Sequence, residues 1–553
     1  MLRNDLVKLA LVGAAMAGLA QGARANGLTP VPNANTKVAG IARPNVLSPE
    51  LSEIIQAQGS VPLENGTGDI PFYGYDGNGP MLPAPGDVQT PTHNVEATKT
   101  EPDKNTYLVL EHVQGADPSY DYGHHFLFQG HELAQKDASG RALSFISRIN
   151  LDADGAHRVT AIATADVDGN PIPTIDGSTW DPFAQRLLFT TENPSAPGVL
   201  QATLDVPSTV EDLSGSTGRG GYEGIQNDSL GNLMIVEDVG GPAGAVNTHA
   251  KQPNSFVYRF VPKDPRDLTR GRLQVLQVTS LADPNRPITF HAGQPDADIL
   301  SQDVADLHTY GKVFSARFVT IHDTAVDGNA PFSANALAKA AGGTPFKRPE
   351  NGVFRPGTRF TQFFFTETGD TTAVTEAGSA FGGFGSIMKL TLSKAGSDTG
   401  TLSLFYLGDV AHTGLDNINF ATPNQVVAVE DAGDGLHSQR NAFDSAYMFD
   451  TRVSYGAAGA PAPFRLLALG RDDAATLDSA LSAAGGGFQN EGDNEVTGFH
   501  VSDGDPGVGG ILGAKLPLPF VLGWRVFYTQ QHGDNATFEI VPARPFALFD
   551  NRD

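Results

Sequence analysis

The 553-residue sequence contains no cysteine, which excludes disulfides, thiolate metal ligands and thiol nucleophiles together. Stability must come from a buried core, and a chain of this length can supply a large one. No apolar run reaches the roughly 18 residues that a membrane-spanning helix needs, so no transmembrane segment is expected. Basic residues are scarce: 37 lysines and arginines face 62 aspartates and glutamates, a formal charge of −25. Such a field repels nucleic acid and anionic membranes and removes both from the expected partners. Its plain meaning is solubility, and its sharper meaning is a set of carboxylates gathered for divalent cations. Gly-x-Ser-x-Gly elbows, P-loops and His-x3-His spacings are also missing, which argues against serine hydrolases, nucleotide motors and zinc sites.

Glycine and proline are abundant instead, 63 and 37 residues, while only 18% of the chain is charged. That is the composition of a turn-rich β protein. Residues 1–25 carry Arg3 and Lys8, a short apolar stretch and Ala-Arg-Ala at 23–25, the layout of a secretory signal peptide cleaved before Asn26. No pair of arginines precedes the apolar stretch, so the general export route is expected, to the periplasm or the medium. Residues 26–105 read as an extended N-terminal arm, with one short helix over 48–57 capped by Ser48. Residues 106–553 read as one domain, and the protein as a monomer.

Along that domain one device recurs. An apolar run ends in acids, amides or histidine, usually followed by glycine: HFLFQGHE (125–132), RLLFTTEN (186–193), NLMIVEDVGG (232–241), QFFFTETGD (362–370), QVVAVEDAGD (425–434) and RVFYTQQHGD (525–534). Short apolar runs bounded by turns are buried strands, and six related units predict an all-β fold, a six-bladed β-propeller interrupted by insertions. Equivalent strand ends of a propeller gather at one mouth of its channel, so acids there would converge. Like charges so placed repel unless cations neutralise them or some stay protonated. A turn-capping role for each acid is the simpler alternative.

Other acids stand between these endings. GGYEGIQND holds Glu223, fourteen residues before Glu237; TGLDNINF holds Asp416, the same distance before Glu430; DNEVTGFH holds Glu495. FKRPENG (346–352) places Arg348 and Glu350 around a proline. In extended geometry, which Pro349 favours for Arg348, the two side chains would share a face about 7 Å apart at Cα. They would form a surface ion pair, or half of a site for a metal and an oxyanion. His131, His322 and His532 are expected to be hydrogen-bonding turn residues rather than ligands.

Taken in order, these motifs resemble those of the PhoX-type alkaline phosphatases over about residues 105–540. The matching stretches are GHE, LLFTTEN, YEG, IVEDVGG, VYRF, FKRPE, LDNINF, VAVEDAG, EVTGF and FYTQQHGD. The resemblance implies a secreted, metal-dependent phosphomonoesterase on a six-bladed propeller, with calcium and iron at its mouth. Carried over, Glu350 is a metal ligand and takes part in catalysis. Arg348 holds the phosphate of a small phosphorylated substrate, and Glu192, Glu223, Glu430 and Asp431 are further metal ligands. Hard oxygen donors in this number suit Ca2+. The family's cysteine corresponds to Thr191, so a thiolate bridge between irons has no counterpart. The reading from a different class is a calcium-binding propeller that holds ligands or partners without catalysis.

Overall fold

The computed structural model describes residues 27–32, 45–74, 100–132, 135–136, 142–370, 375, 377–432, 444–469, 495–531 and 535–543. The signal-peptide segment and His532 lie outside the described residues. The apolar runs form strands because they bury both faces: Phe126, Leu127 and Phe128 are all fully buried, as are Leu187, Leu188 and Phe189. All six quoted runs contain a strand, among them His125–Gln129, Arg186–Thr190, Leu233–Glu237, Gln362–Glu367, Gln425–Glu430 and Arg525–Gln531.

The strands assemble into a propeller-like arrangement of sheets. Thr106–Val109, His125–Gln129, Ile146–Asn150 and Val159–Ala163 make the first. Ser178–Asp181, Arg186–Thr190, Val199–Ala202 and Val210–Asp212 make the second. A later sheet holds Leu415–Thr422, Gln425–Glu430, Ser445–Asp450 and Phe464–Leu469, with Asn45–Leu47 on its outer edge. The last holds Glu495–Ser502, Arg525–Gln531 and Ala536–Pro542, completed by Leu51–Ala57.

Between them lies a difference from expectation. The runs at 232–241 and 362–370 do not sit in separate sheets but share one of nine strands. It runs from Tyr222–Asn227 through Leu233–Glu237, Val257–Asp264 and Asp267–Val278 to the long strand Val313–Asp323. From there it returns through Thr399–Leu407, Ser386–Leu392 and Gln362–Glu367 to Gly352–Phe354. Val313–Asp323 joins the halves because its backbone pairs on both sides, Val275 with Val319 and Leu402 with Phe314.

Apolar clusters fill the gaps between neighbouring sheets. Phe126, Phe128 and Ile162 of the first pack with Phe189 and Leu200 of the second. Val427, Val429 and Leu467 pack with Tyr528 and Phe538 of the last sheet. Leu127 and Ile149 of the first meet Phe527 of the last, which closes the circuit. Within the nine-stranded sheet, Met234, Val236 and Val257 of one half face Phe363, Phe365 and Met388 of the other.

The helix expected over 48–57 is a strand, Leu51–Ala57, paired antiparallel with Ala536–Pro542. A helix of ten residues is marginal in water, whereas an open sheet edge satisfies the same backbone groups at once. Ser48 does not cap a helix; its backbone N–H donates to Leu466 O at 3.0 Å.

Candidate metal centre

Antiparallel pairing puts the start of each sheet's first strand beside the end of its second. Tyr222 pairs with Glu237, Leu415 with Glu430, and Glu495 with Gln531. In each of those first strands the register then slips, between Tyr222 and Ile225, Leu415 and Ile418, and Thr497 and His500. A bulge re-aims the side chain it carries, and here the slipped stretches carry Glu223 and Asp416. The close approach depends on glycine: a Cβ on Gly224 would lie 2.7 Å from Glu350 O, and one on Gly177 1.9 Å from Glu223 O.

Acids from several sheets converge as a result. Carboxylate oxygens of Asp103, Glu132 and Asp176 lie within 4.8 Å of one another, as do those of Asp176, Glu192 and Glu223, and those of Glu223, Asp238 and Glu350. The three groups share Asp176 and Glu223 and so form one continuous chain of acids. Desolvation pushes Asp176, Glu192, Glu223, Glu350 and Glu495 well above the usual carboxylate range, and repulsion among neighbouring acids adds to it. Asp103 is pushed up to about 6, chiefly by burial. Glu350 Oε2 is buried without a hydrogen-bond donor. An oxygen left so is one a cation can occupy.

Two basic side chains answer these acids. Arg348 donates from Nε and Nη2 to Asp238 at 2.7–3.0 Å, and its Nη2 lies 3.0 Å from Glu350 Oε1. Burial opposes the guanidinium charge, but Asp238 and Glu350 outweigh it and hold the group more firmly protonated than usual. The backbone expectation for FKRPENG fails here. Arg348 has φ 56°, left-handed rather than extended, although the side-by-side placement of Arg348 and Glu350 stands. The chelate to Asp238 and the bond from Thr368 N to Arg348 O at 2.9 Å hold that conformation against its local cost. The second cation is Lys104, whose Nζ donates to Asn351 Oδ1. Asn351 Nδ2 in turn donates to Glu223 Oε1 at 3.1 Å and reaches Asp416 Oδ1 at 3.4 Å.

Of the residues singled out in the sequence, Glu192, Glu223, Glu350 and Arg348 come together. Asp431 acts electrostatically on Arg348 and Glu350. Glu430 is buried and accepts Thr413 N–H at 3.0 Å; it belongs to none of the three groups. Two strand-ending acids of the repeat turn elsewhere. Glu237 accepts Phe256 N–H, Tyr258 Oη and Asn335 Nδ2, and burial pushes it up to about 8. Glu367 pairs with His308 at 3.0 Å. Sequence reasoning missed Asp103, Glu132, Asp176 and Asp238 as partners. The usable signal was an acid just before the first strand of each of the first two sheets, Asp103 before Thr106–Val109 and Asp176 before Ser178–Asp181. Thr191 Oγ1 donates to Pro197 O at 2.7 Å and so is spent within its own loop. His131 bonds Thr100 and Ser147, while His322 lies in the strand Val313–Asp323 rather than in a turn, its Nε2 3.1 Å from Gly328 O.

No family model matches the sequence, and no curated protein matches it. Among solved structures the chain is similar to that of Pseudomonas fluorescens PhoX in complex with vanadate, a transition state analogue. That match has a TM-score of 0.52 at 11% identity, over 94% of this chain and 98% of the other. The α-L-arabinofuranosidase PaAbf62A of Podospora anserina gives 0.31 at 9% identity, over 84% of this chain and 96% of its own. The periplasmic gluconolactonase PpgL of Pseudomonas aeruginosa gives 0.29 at 11%, over 76% and 97%. At these identities the likeness is one of fold, and of these three the PhoX match is the one close enough to carry that much.

Proposed function

We propose that this chain is an exported, metal-dependent phosphatase of small phosphomonoesters, a monomer and a distant relative of the PhoX-type enzymes. In this reading the nine-stranded sheet is two blades joined through Val313–Asp323, which makes the propeller six-bladed. The observation that carries the reading is Arg348, a guanidinium 19% exposed, set against a chain of acids whose oxygens lie within 4.8 Å in each group. The vanadate bound in the PhoX structure has the charge and shape of a phosphoryl group in transfer. The same chemistry suits a planar cation beside neutralised carboxylates.

The donors fit hard divalent cations, Ca2+ first, because every one is an oxygen and Glu350 Oε2 has no other partner. They do not fit a thiolate-supported iron centre, since Thr191 stands where that thiol would be. Asp103, Glu132, Asp176, Glu192, Glu223, Asp238 and Glu350 would hold the ions, with Asp431 and Glu430 as outer acids. Bound metal would polarise a phosphoryl oxygen and make water a competent nucleophile. Arg348 would orient the phosphoryl oxygens and offset charge that grows on them, while Asp238 keeps its fork aimed. Without cations the same acids would repel a phosphate dianion, so substrate binding and metal binding are one event.

A second reading has one observation behind it: two carboxylates already engage Arg348, as in a structural ion pair. A non-catalytic calcium-binding propeller would look the same. The two separate on Arg348→Ala assayed with several phosphomonoesters after calcium loading. The phosphatase reading expects a rate loss on the order of 10²–10³ with metal content nearly unchanged, and partial rescue by lysine. Metal-replete wild type that hydrolyses none of the esters, with Arg348→Ala altering only the melting temperature, would leave the binding propeller.

A further inference from the structure

A second polar site lies in an insertion of the nine-stranded sheet, outside the chain of acids. Residues 279–312 join Asp267–Val278 to Val313–Asp323 at the end of the sheet where Glu237 and Asp238 lie. Two short helices of this insertion, Pro295–Ile299 and Gln302–Leu307, help to wall a cavity of about 150 Å3. Its buried floor is apolar: Pro253, Ile288, Val304 and Pro345. Thr289, His291 and Ser301 bring polar groups to its more exposed wall. Pro345 stands three residues before Arg348, which puts the two within about 11 Å of each other at Cα.

His291 is held there in one orientation. Its Nδ1 lies 2.6 Å from Asp298 Oδ1, and its backbone N–H donates to Asp298 Oδ2 at 2.9 Å. A carboxylate so placed keeps the ring proton on Nδ1 and leaves Nε2 as an acceptor. The ring is half-exposed, and Nε2 has no protein partner among the described residues. Asp298 is pinned in turn by Gln252, a buried residue that donates from Nε2 both to Asp298 Oδ2 and to His291 O. That double donation leaves Gln252 Oε1 buried without a donor. The orphaned oxygen is a folding cost, and what it secures is the aim of one imidazole.

The charges around the cavity are already answered. Asp298 accepts the donors just named, and Asp303 accepts the Ser280 hydroxyl and pairs with Arg286 at 2.8 Å. A cation or an anion would find no waiting partner, whereas a hydroxyl would. Ser301 Oγ accepts Val304 N–H at 3.1 Å, so its own proton remains to be donated. An acceptor at His291 and hydroxyls at Ser301 and Thr289, above an apolar floor, match a ring with C–H groups on one side and hydroxyls on the other. A cavity of this volume holds a ring about the size of benzene, and the exposed wall lets substituents project. We propose that this cavity binds an uncharged, ring-sized polyol such as a pentose, with His291 Nε2 accepting one hydroxyl. Asp298 is its positioning residue. The site uses no metal and stands whether or not the acids hold one.

The test is binding of D-ribose to the full chain, read by saturation-transfer NMR and calorimetry, in calcium chloride and again in chelator. Wild type should bind with millimolar affinity, equal in the two conditions. Ala297→Phe, at an exposed position of the cavity wall, fills the space and should abolish binding. His291→Ala removes the acceptor and should weaken binding about fivefold to tenfold, with the melting temperature nearly unchanged. Asp298→Asn can donate to Nδ1 and should move the ring proton to Nε2; the nitrogen NMR shifts of His291 report that move directly, and binding should weaken with it. No ribose bound by wild type, or equal binding by wild type and Ala297→Phe, overturns the site. Binding that is lost in chelator while the fold persists places the sugar at the acids and also overturns it. Loss in Ala297→Phe with none in His291→Ala overturns the hydrogen bond, and weakened binding in Asp298→Asn without a shift of the ring proton overturns the positioning role.

Discussion

Asp103 tests directly what neutralises the centre. Its carboxylate accepts the Thr497 hydroxyl and groups with Glu132 and Asp176. Burial, the largest influence, pushes it from 3.8 up to about 6. The folded state therefore holds this proton more tightly than the unfolded chain. The stability it contributes is complete below about pH 4 and is lost as the pH rises through 6. At about 1.4 kcal/mol for each tenfold change in proton affinity, the charged form costs the metal-free fold about 3 kcal/mol at pH 7.5. Asp103→Asn removes that charge and keeps an oxygen for Thr497. In chelator the variant should match wild type at pH 4 and melt several degrees above it at pH 7.5. In saturating calcium the order at pH 7.5 should reverse, because a neutral amide is a poorer ligand for a hard cation. The assay is thermal melting of both proteins at the two pH values, with and without calcium. A gap between them that is the same in all four conditions would refute the reasoning and reduce Asp103 to an ordinary acceptor.

Glu350→Gln should lower bound calcium while Arg348 keeps its chelate to Asp238; elemental analysis with unchanged metal content would remove Glu350 from the ligands. Thr191→Cys restores the thiol that the resembled family carries, at a cost of about 1 kcal/mol for the bond to Pro197. If that thiol is what a family-like iron centre needs, iron content and phosphatase rate should rise together, and a rise in neither would dismiss it. Phe365→Ala should cost about 3–5 kcal/mol, because Phe365 is fully buried where the halves of the nine-stranded sheet face each other. A loss under about 1 kcal/mol in denaturant melts would mean that this contact is loosely packed.

The strands were legible because their apolar runs are short, buried on both faces and punctuated by turns. The run Leu187-Leu188-Phe189 could hardly be anything else. Glu192 was legible as a repeated strand ending, whereas Glu223 and Glu350 lie between the endings and were singled out through the family resemblance. The partners at Asp103 and Asp176 were not. Each precedes its strand in a loop without apolar periodicity, and only the antiparallel pairing reveals that such positions face the endings. Glu237 and Asp238 are adjacent in sequence, and the choice between them belongs to the packing: Tyr258 and Asn335 capture the first and leave the second for Arg348. The strand at Leu51–Ala57 was read as a helix because its partner lies nearly 500 residues away, and no local pattern records that distance.

That partnership has a consequence for when the centre can exist. Ala536–Pro542 is made nearly 500 residues after Leu51–Ala57, yet each completes the other's hydrogen bonding. Until both are present, the last sheet lacks an edge strand and Phe527 is not in place against Leu127. The acids from Asp103 to Glu350 then have no closed frame to hold their oxygens together. In a chain still being synthesised, these acids stay hydrated and apart. Any ion these acids take up can therefore bind only once the chain from Leu51 to Pro542 is complete.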